Sequence, residues 1–353
     1  MLLDGLFVPL TTPFYRDGAL YLRKLEHNAD RYSRTPAAGL AASALHGEGV
    51  ALNTQEIRDS LRSIASATAA EKVLLAGLPA GSVASALEIA ERAAAEKFDA
   101  VIAALPEGVA FERPLGAEAK QQYTWFATLA DRSPLPVVLS SGEGAKSLPL
   151  HMVAELARHP NVIGMIDEAL HVERLRAVQE ATTGVARNVT VTPVFAAVTA
   201  RMLQSKQVAE ATFVSSEALS SGGAAVAVAP PTPALKTRTK TVGFQVIAAG
   251  TVPIVPLLEA KLAAWMPTLA SCTPQGCHEV LAAFRDGNGG LALLKEERLS
   301  AARRVLAEEL GVAGIKFGCD RNGYYGGVPR LPLLPLDAAQ KARVDEALGE
   351  LRN

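Results

Sequence analysis

Ten side chains that could do chemistry stand at or just beyond the ends of short apolar runs. They are Thr11, Thr12, His46, Glu48, Glu107, Ser140, Ser141, Glu143, Asp167 and Glu168. His46 could accept a proton near neutral pH or, as an imidazolium, hold a carboxylate. The plainer reading is a histidine hydrogen-bonded in place. Glu48 reads as a scaffold hydrogen-bond acceptor before a catalytic acid. His46, Glu107, Asp167 and Glu168 are ligand types that suit a divalent cation. No spacing such as His-Glu-x-x-His supports a metal site, however, and no cofactor is expected. A Ser140–His46 nucleophilic pair would need activation by the imidazole, but the Gly-x-Ser-x-Gly elbow is missing.

Other patterns carry less. Gly142-Glu143-Gly144-Ala145-Lys146-Ser147 fails the phosphate-loop spacing. Cys272-x4-Cys277-His278 offers too few ligands for structural zinc. Lys236-Thr237-Arg238-Thr239-Lys240 reads as a solvated basic loop.

The chain of 353 residues is 49% hydrophobic and 20% charged, which supplies a large core and excludes a disordered chain. A formal charge of −1 provides no field for nucleic acid or an anionic membrane. Cys272, Cys277 and Cys319 cannot form a disulfide framework, and a reducing cytoplasm is expected. No signal peptide is visible at the N-terminus. No apolar run reaches the ~18–20 residues of a membrane span.

Short apolar runs alternate with helical periodicity. The runs are 6–10, 39–45, 73–78, 100–105, 136–140, 162–166, 189–194 and 242–249. Near-continuous apolar character suits strands buried on both faces of a parallel sheet. Between them, Ala86, Ile89, Ala90, Ala93 and Ala94 mark one face of a helix. Asn53 and Glu56 read as a capping box, and Pro149 opens a short helix. Eight runs with intervening helices predict an α/β (β/α)8 barrel, with a doubly wound open sheet as the alternative. We assign the barrel to 1–256 and a C-terminal helical region to 257–353, with Leu257–Trp265 read as helix. Residues 204–241 read as an insertion between strands seven and eight, either a solvated surface segment or a lid over the strand ends.

The chain resembles the dihydrodipicolinate synthase/N-acetylneuraminate lyase family. The resemblance runs through Val8-Pro9-Leu10-Thr11-Thr12-Pro13-Phe14 with Asp17-Gly18, then Gly39 to Gly47-Glu48-Gly49 with Leu52 and Glu56 behind. It continues in His159-Pro160-Asn161-Val162-Ile163-Gly164-Met165-Ile166-Asp167 and in Gly311-Val312-Ala313-Gly314-Ile315-Lys316. It closes with Gly323-Tyr324-Tyr325-Gly326-Gly327-Val328-Pro329-Arg330-Leu331-Pro332-Leu333-Leu334. The resemblance implies a barrel that cleaves or joins carbon–carbon bonds through an imine between a strand-six lysine and a 2-oxo acid such as pyruvate. It also implies a homo-dimer or homo-tetramer.

The positions that carry this chemistry are changed. Ile166 occupies the lysine position, and an alkyl side chain cannot form an imine. Ser140 stands where the family has a proton-relaying tyrosine. Leu45-His46 replaces the threonine pair that receives the carboxylate, and Pro106-Glu107-Gly108 lacks the interface tyrosine. Lys146, Lys206, Lys236 and Lys240 lie off the barrel strands, and Lys316 reads as structural. The candidate catalytic positions are Ser140, Ile166, which is the family's lysine position and not competent, and His46. The substrate-binding positions are Thr11, Leu45, His46, Gly47, Glu48, Ser141 and Asp167. Two readings remain: a divergent lyase-family enzyme for a 2-oxo acid or sugar-acid-like ligand, or a non-catalytic binding or assembly subunit.

Overall fold

The computed structural model describes residues 1–43, 47–106, 117–204 and 235–351. Eight parallel strands close into a barrel. They are β1 (Gly5–Pro9), β2 (Gly39–Ala42), β3 (Val73–Gly77), β4 (Ala100–Ala103), β5 (Val137–Ser141), β6 (Val162–Asp167), β9 (Gln245–Gly250) and β10 (Ala264–Pro267). Helices α1 (Leu22–Ser33), α2 (Thr54–Ala67), α3 (Val83–Ala95), α4 (Ala117–Arg132), α5 (Leu150–Leu156) and α6 (Val172–Ala181) connect the first strands in turn. The architecture is the (β/α)8 barrel with a C-terminal helical region.

The strands are apolar on both faces because both are covered. Phe7, Leu75, Val138, Ile166, Ile247 and Met266 fill the barrel interior. Their alternate neighbours, such as Val8, Leu74, Leu139 and Met165, pack outward in the layer shared with the helices. The capping box of α2 forms as its sequence predicts. Asn53 Oδ1 accepts from the Glu56 N–H at 2.9 Å, and Glu56 Oε2 accepts from the Asn53 N–H at 3.0 Å. In α3, Ala86, Ile89, Ala90 and Ala93 are buried, the face set by the 3.6-residue period.

The sequence reading of strands seven and eight needs correction. Residues 187–191 form β7 (Arg187–Val191), which pairs antiparallel with β8 (Arg238–Val242) in a separate two-stranded ribbon. Its burial alternates, with Val189 and Val191 inward and Asn188 and Thr190 outward, which is the mark of a one-sided ribbon and not of a barrel strand. The apolar run 242–249 is broken at Gly243, and only Gln245–Gly250 enters the barrel, between β6 and β10. The eighth strand, Ala264–Pro267, lies past Pro256 and inside the stretch read as helix. Only α7 (Val255–Glu259) is helical there. Four residues buried on both faces have no periodicity to separate strand from helix.

The insertion therefore falls between α6 and the seventh barrel strand. The residues between α6 and the insertion grip the N-terminal ends of the strands. Arg187 Nη2 donates to the carbonyls of Ala157, His159 and Val162, each at 2.7 Å. The Ala200 N–H donates to Asp99 Oδ1 at 2.8 Å, and Arg201 donates to the carbonyls of Thr68, at 2.8 Å, and Lys72. These acceptors precede or begin β6 and precede β4 and β3, at the end opposite a barrel's active-site face. The stretch that leads into the insertion thus lies at the end of the barrel opposite the mouth. Residues 205–234 lie outside the described residues.

The C-terminal region comprises α8 (Pro274–Arg285), α9 (Gly289–Ala302), α10 (Gly311–Arg321) and α11 (Ala338–Leu348). It is latched to the barrel by the motif at 323–330. Tyr324 stacks on Tyr32 with centroids 4.2 Å apart, and Gly326 passes so close to the Lys316 carbonyl that a Cβ would collide with it. No helix among the described residues is long and apolar enough to cross a membrane.

Candidate functional site at the barrel mouth

The C-terminal ends of β2 to β6 surround a cavity of about 740 Å³. Ser140 and Ile166, Cα partners on adjacent strands, both line it. Ile166 is 0% exposed and packs with Val138, Ile247 and Met266. The lysine position of the family resemblance is therefore an apolar wall, and Ser140 is the hydroxyl beside it.

The charged lining comes from two loops. After β5, Glu143 and Lys146 bracket a short turn in which the Lys146 N–H donates to the Glu143 carbonyl at 3.1 Å. The Lys146 stem lies over Gly142, where a Cβ would meet it at 2.9 Å. After β6, Glu168 is held by its own N–H, which donates to the Ser141 carbonyl at 3.0 Å. Burial raises the Glu168 carboxyl above its ordinary pKa. The nearby Glu143 charge adds to that, and the Lys146 ammonium opposes it. The sequence singled out Glu143 and Glu168, but set Lys146 aside as a loop residue. Its signal was position: five residues past a strand end, a side chain can still turn back over the mouth.

The other predicted site residues are placed differently. Ser141 and Asp167 point away from the barrel interior, because successive strand residues face opposite ways. Arg174 on α6 holds both. Its Nε donates to Asp167 Oδ2 at 2.5 Å and its Nη2 to Ser141 Oγ at 3.1 Å. Asp167 is 0% exposed. Thr11 is buried and is not among the residues lining the cavity.

Gly47 and Glu48 belong to the latch. Lys316 Nζ, wholly buried, donates to Glu48 Oε2 at 2.5 Å and to the Thr12 carbonyl at 2.8 Å, while Thr12 Oγ1 donates to the Gly47 carbonyl at 2.6 Å. Glu48 Oε1 also accepts from the Arg330 N–H at 2.9 Å. Burial lowers the Lys316 pKa, and Glu48 opposes that shift. Glu48 thus acts as a scaffold acceptor. Leu45, His46, Glu107 and Gly108 lie outside the described residues. Among the described residues no three His, Cys, Asp or Glu side chains are grouped to hold a metal ion. The three cysteines are free and buried, and burial pushes the Cys319 thiol up to about 12.

A closed parallel barrel with its cavity at the C-terminal strand ends defines the class: a (β/α)8 barrel protein, whose function rests on the residues at that mouth. Residues 2–191 match the dihydrodipicolinate synthetase family, and the chain belongs to that family. It is 32% identical over 179 residues to a 4-hydroxy-tetrahydrodipicolinate synthase of Xanthomonas axonopodis pv. citri (strain 306), an alignment covering 50% of this chain and 57% of that protein. It is 27% identical over 180 residues to an N-acetylneuraminate lyase of Rhizobium meliloti (strain 1021), covering 50% of this chain and 58% of that protein. The fold is similar to that of YagE, a prophage protein of the dihydrodipicolinic acid synthase family from E. coli K12, solved in complex with pyruvate. The TM-score is 0.74 at 19% identity, covering 99% of each chain.

Proposed function

We propose that this chain is a divergent member of its family that receives a small 2-oxo acid or sugar-acid-like ligand in the mouth cavity and forms no imine at position 166. The observation that carries this reading is Ile166, an alkyl side chain packed at the register position beside Ser140. Imine formation needs an amine that can lose its proton and attack the keto carbon. The cavity of about 740 Å³ has ample room for a small acid, and its Lys146 supplies positive charge. Lyase-type carbon–carbon chemistry by the family's standard route is therefore not run here. We read the protein as cytoplasmic, as a homo-dimer or homo-tetramer, and as working without cofactor.

A second reading, a non-catalytic ligand-binding or assembly subunit, is favoured by the joint replacement of the family's lysine by Ile166 and its tyrosine by Ser140. Restoring the amine tests whether the pocket still receives 2-oxo acids. Ile166→Lys places an amine among apolar neighbours, where burial favours the neutral, nucleophilic form. Incubation with pyruvate and borohydride is expected to add one reduced pyruvate to the variant, read by intact mass. Saturation-transfer NMR on the wild type with pyruvate gives the same answer if the variant does not fold. Absence of binding in the wild type contradicts the reading.

A further inference from the structure

This inference rests on the reading that the mouth takes a 2-oxo acid. We propose that Glu168 is the base of the mouth cavity, removing a proton from the carbon beside the ligand's keto group while the Lys146 ammonium faces the developing enolate oxygen.

Position is the first argument. Glu168 follows β6 directly, two residues past Ile166, and lines the same cavity as Ser140, Glu143 and Lys146. Carboxylates at the C-terminal ends of barrel strands stand where barrel chemistry is done. Its neighbour Asp167 is committed to Arg174 on the outer face and is not available to the cavity.

Rigidity is the second. The Glu168 backbone is tied to β5 through the Ser141 carbonyl. On its other side Gly250 ends β9 in the left-handed region, at φ +72°, and a Cβ there would lie 3.6 Å from the Glu168 Cβ. The side chain is thus rooted between the ends of two barrel strands. A general base must be held within reach of the proton it takes.

The surroundings supply the third. Partial burial and the Glu143 charge favour the protonated carboxyl, which brings its basicity closer to neutral pH, where a base works best. Lys146 supplies the opposite charge in the same cavity.

The step balances without an oxidant or reductant. The C–H bond breaks and its proton passes to a Glu168 carboxylate oxygen. The electron pair forms a carbon–carbon double bond, and the carbonyl electrons move to oxygen, where the Lys146 charge stabilises them. Return of a proton from Glu168 to carbon restores the keto acid. The chain thereby enolises its ligand with no covalent intermediate, which is the chemistry lost at position 166 recovered by another route.

The test is exchange of the pyruvate methyl protons in heavy water, followed by proton NMR, with a protein-free control. The wild type is expected to accelerate exchange, and Glu168→Gln to lose about 100-fold or more of that rate. Pyruvate binding by saturation-transfer NMR is expected to persist in Glu168→Gln. Lys146→Met is expected to lower the rate as well, with no borohydride-reducible adduct on the wild type. Binding without exchange overturns this proposal alone, as does exchange that Glu168→Gln leaves intact. Exchange accompanied by a reduced adduct on the wild type also overturns it, because an imine then carries the step. No binding of pyruvate by the wild type overturns the reading of the mouth and this proposal together.

Discussion

Ser140 and Ile166 stand side by side as register partners on β5 and β6 and both line the mouth cavity, whereas the next pair along, Ser141 and Asp167, turns outward to Arg174. One residue of strand separates the cavity from the helix layer. The alternation of a β-strand thus divides four candidate residues into two that can meet a ligand and two that hold α6 in place.

Arg174→Met tests that division. It leaves the fully buried Asp167 carboxylate without its cation, and loss of one partner of a buried pair costs about 3–5 kcal/mol. Urea unfolding is expected to show that loss, with pyruvate binding at the mouth unchanged. A variant of normal stability that no longer binds would return Ser141 and Asp167 to the ligand site.

The Lys316–Glu48 pair is a stronger case, since both side chains are out of solvent. Lys316→Met should cost about 3–5 kcal/mol by stranding Glu48. Adding Glu48→Gln is expected to recover part of that loss, because the stranded charge is removed with its partner. Equal stability of the single and double variants would show that Glu48 is not held by Lys316.

Glu168→Gln is expected to stabilise the fold. Burial first, and Glu143 second, raise the Glu168 carboxyl in the folded state. The stability that the protonated carboxyl contributes is complete below the unfolded pKa, ~4.3, and is lost as pH rises through the higher folded value. A neutral glutamine escapes that loss. Thermal melts should show a higher Tm for the variant at neutral pH and no difference below about pH 4. A lower Tm at neutral pH would mean that the carboxylate is held by a favourable contact, contrary to its place in an open mouth.

Arg187→Ala probes the grip of the ribbon on the barrel's N-terminal end. Three carbonyls lose their donor, and hydrogen bonds to charged groups are worth about 1.5–3 kcal/mol each in general. A drop in stability with unaltered pyruvate binding is expected. Loss of binding alone would place this ribbon in contact with the mouth.

The legible part of the fold was the part whose pattern has one physical explanation. Runs such as 73–78 and 162–166, apolar throughout, can only be strands covered on both sides once helices flank them. Residues 187–191 and 264–267 were not legible in the same way. The first alternates polar and apolar residues, and its partner Arg238–Val242 lies 47 positions on from Val191, across the insertion. The second, Ala-Trp-Met-Pro, is too short to show a period. At the site, Ser140 and Ile166, read as catalytic positions, line the cavity, whereas Ser141, Asp167 and Glu48, named as substrate-binding positions, are bonded to Arg174, Lys316 and Arg330. Their partners, Arg174, Lys316 and Arg330, are 33, 7, 268 and 282 residues away for the four bonds concerned, and no local pattern announces them.

The central claim is that this barrel forms no imine with a 2-oxo acid. Intact-mass spectrometry of the wild type after pyruvate and borohydride measures it directly, with a family member that retains the strand-six lysine beside it. We predict an unshifted mass for this chain and a shifted mass for the relative. A reduced pyruvate adduct on the wild type, mapped by peptide to any lysine, would contradict the account.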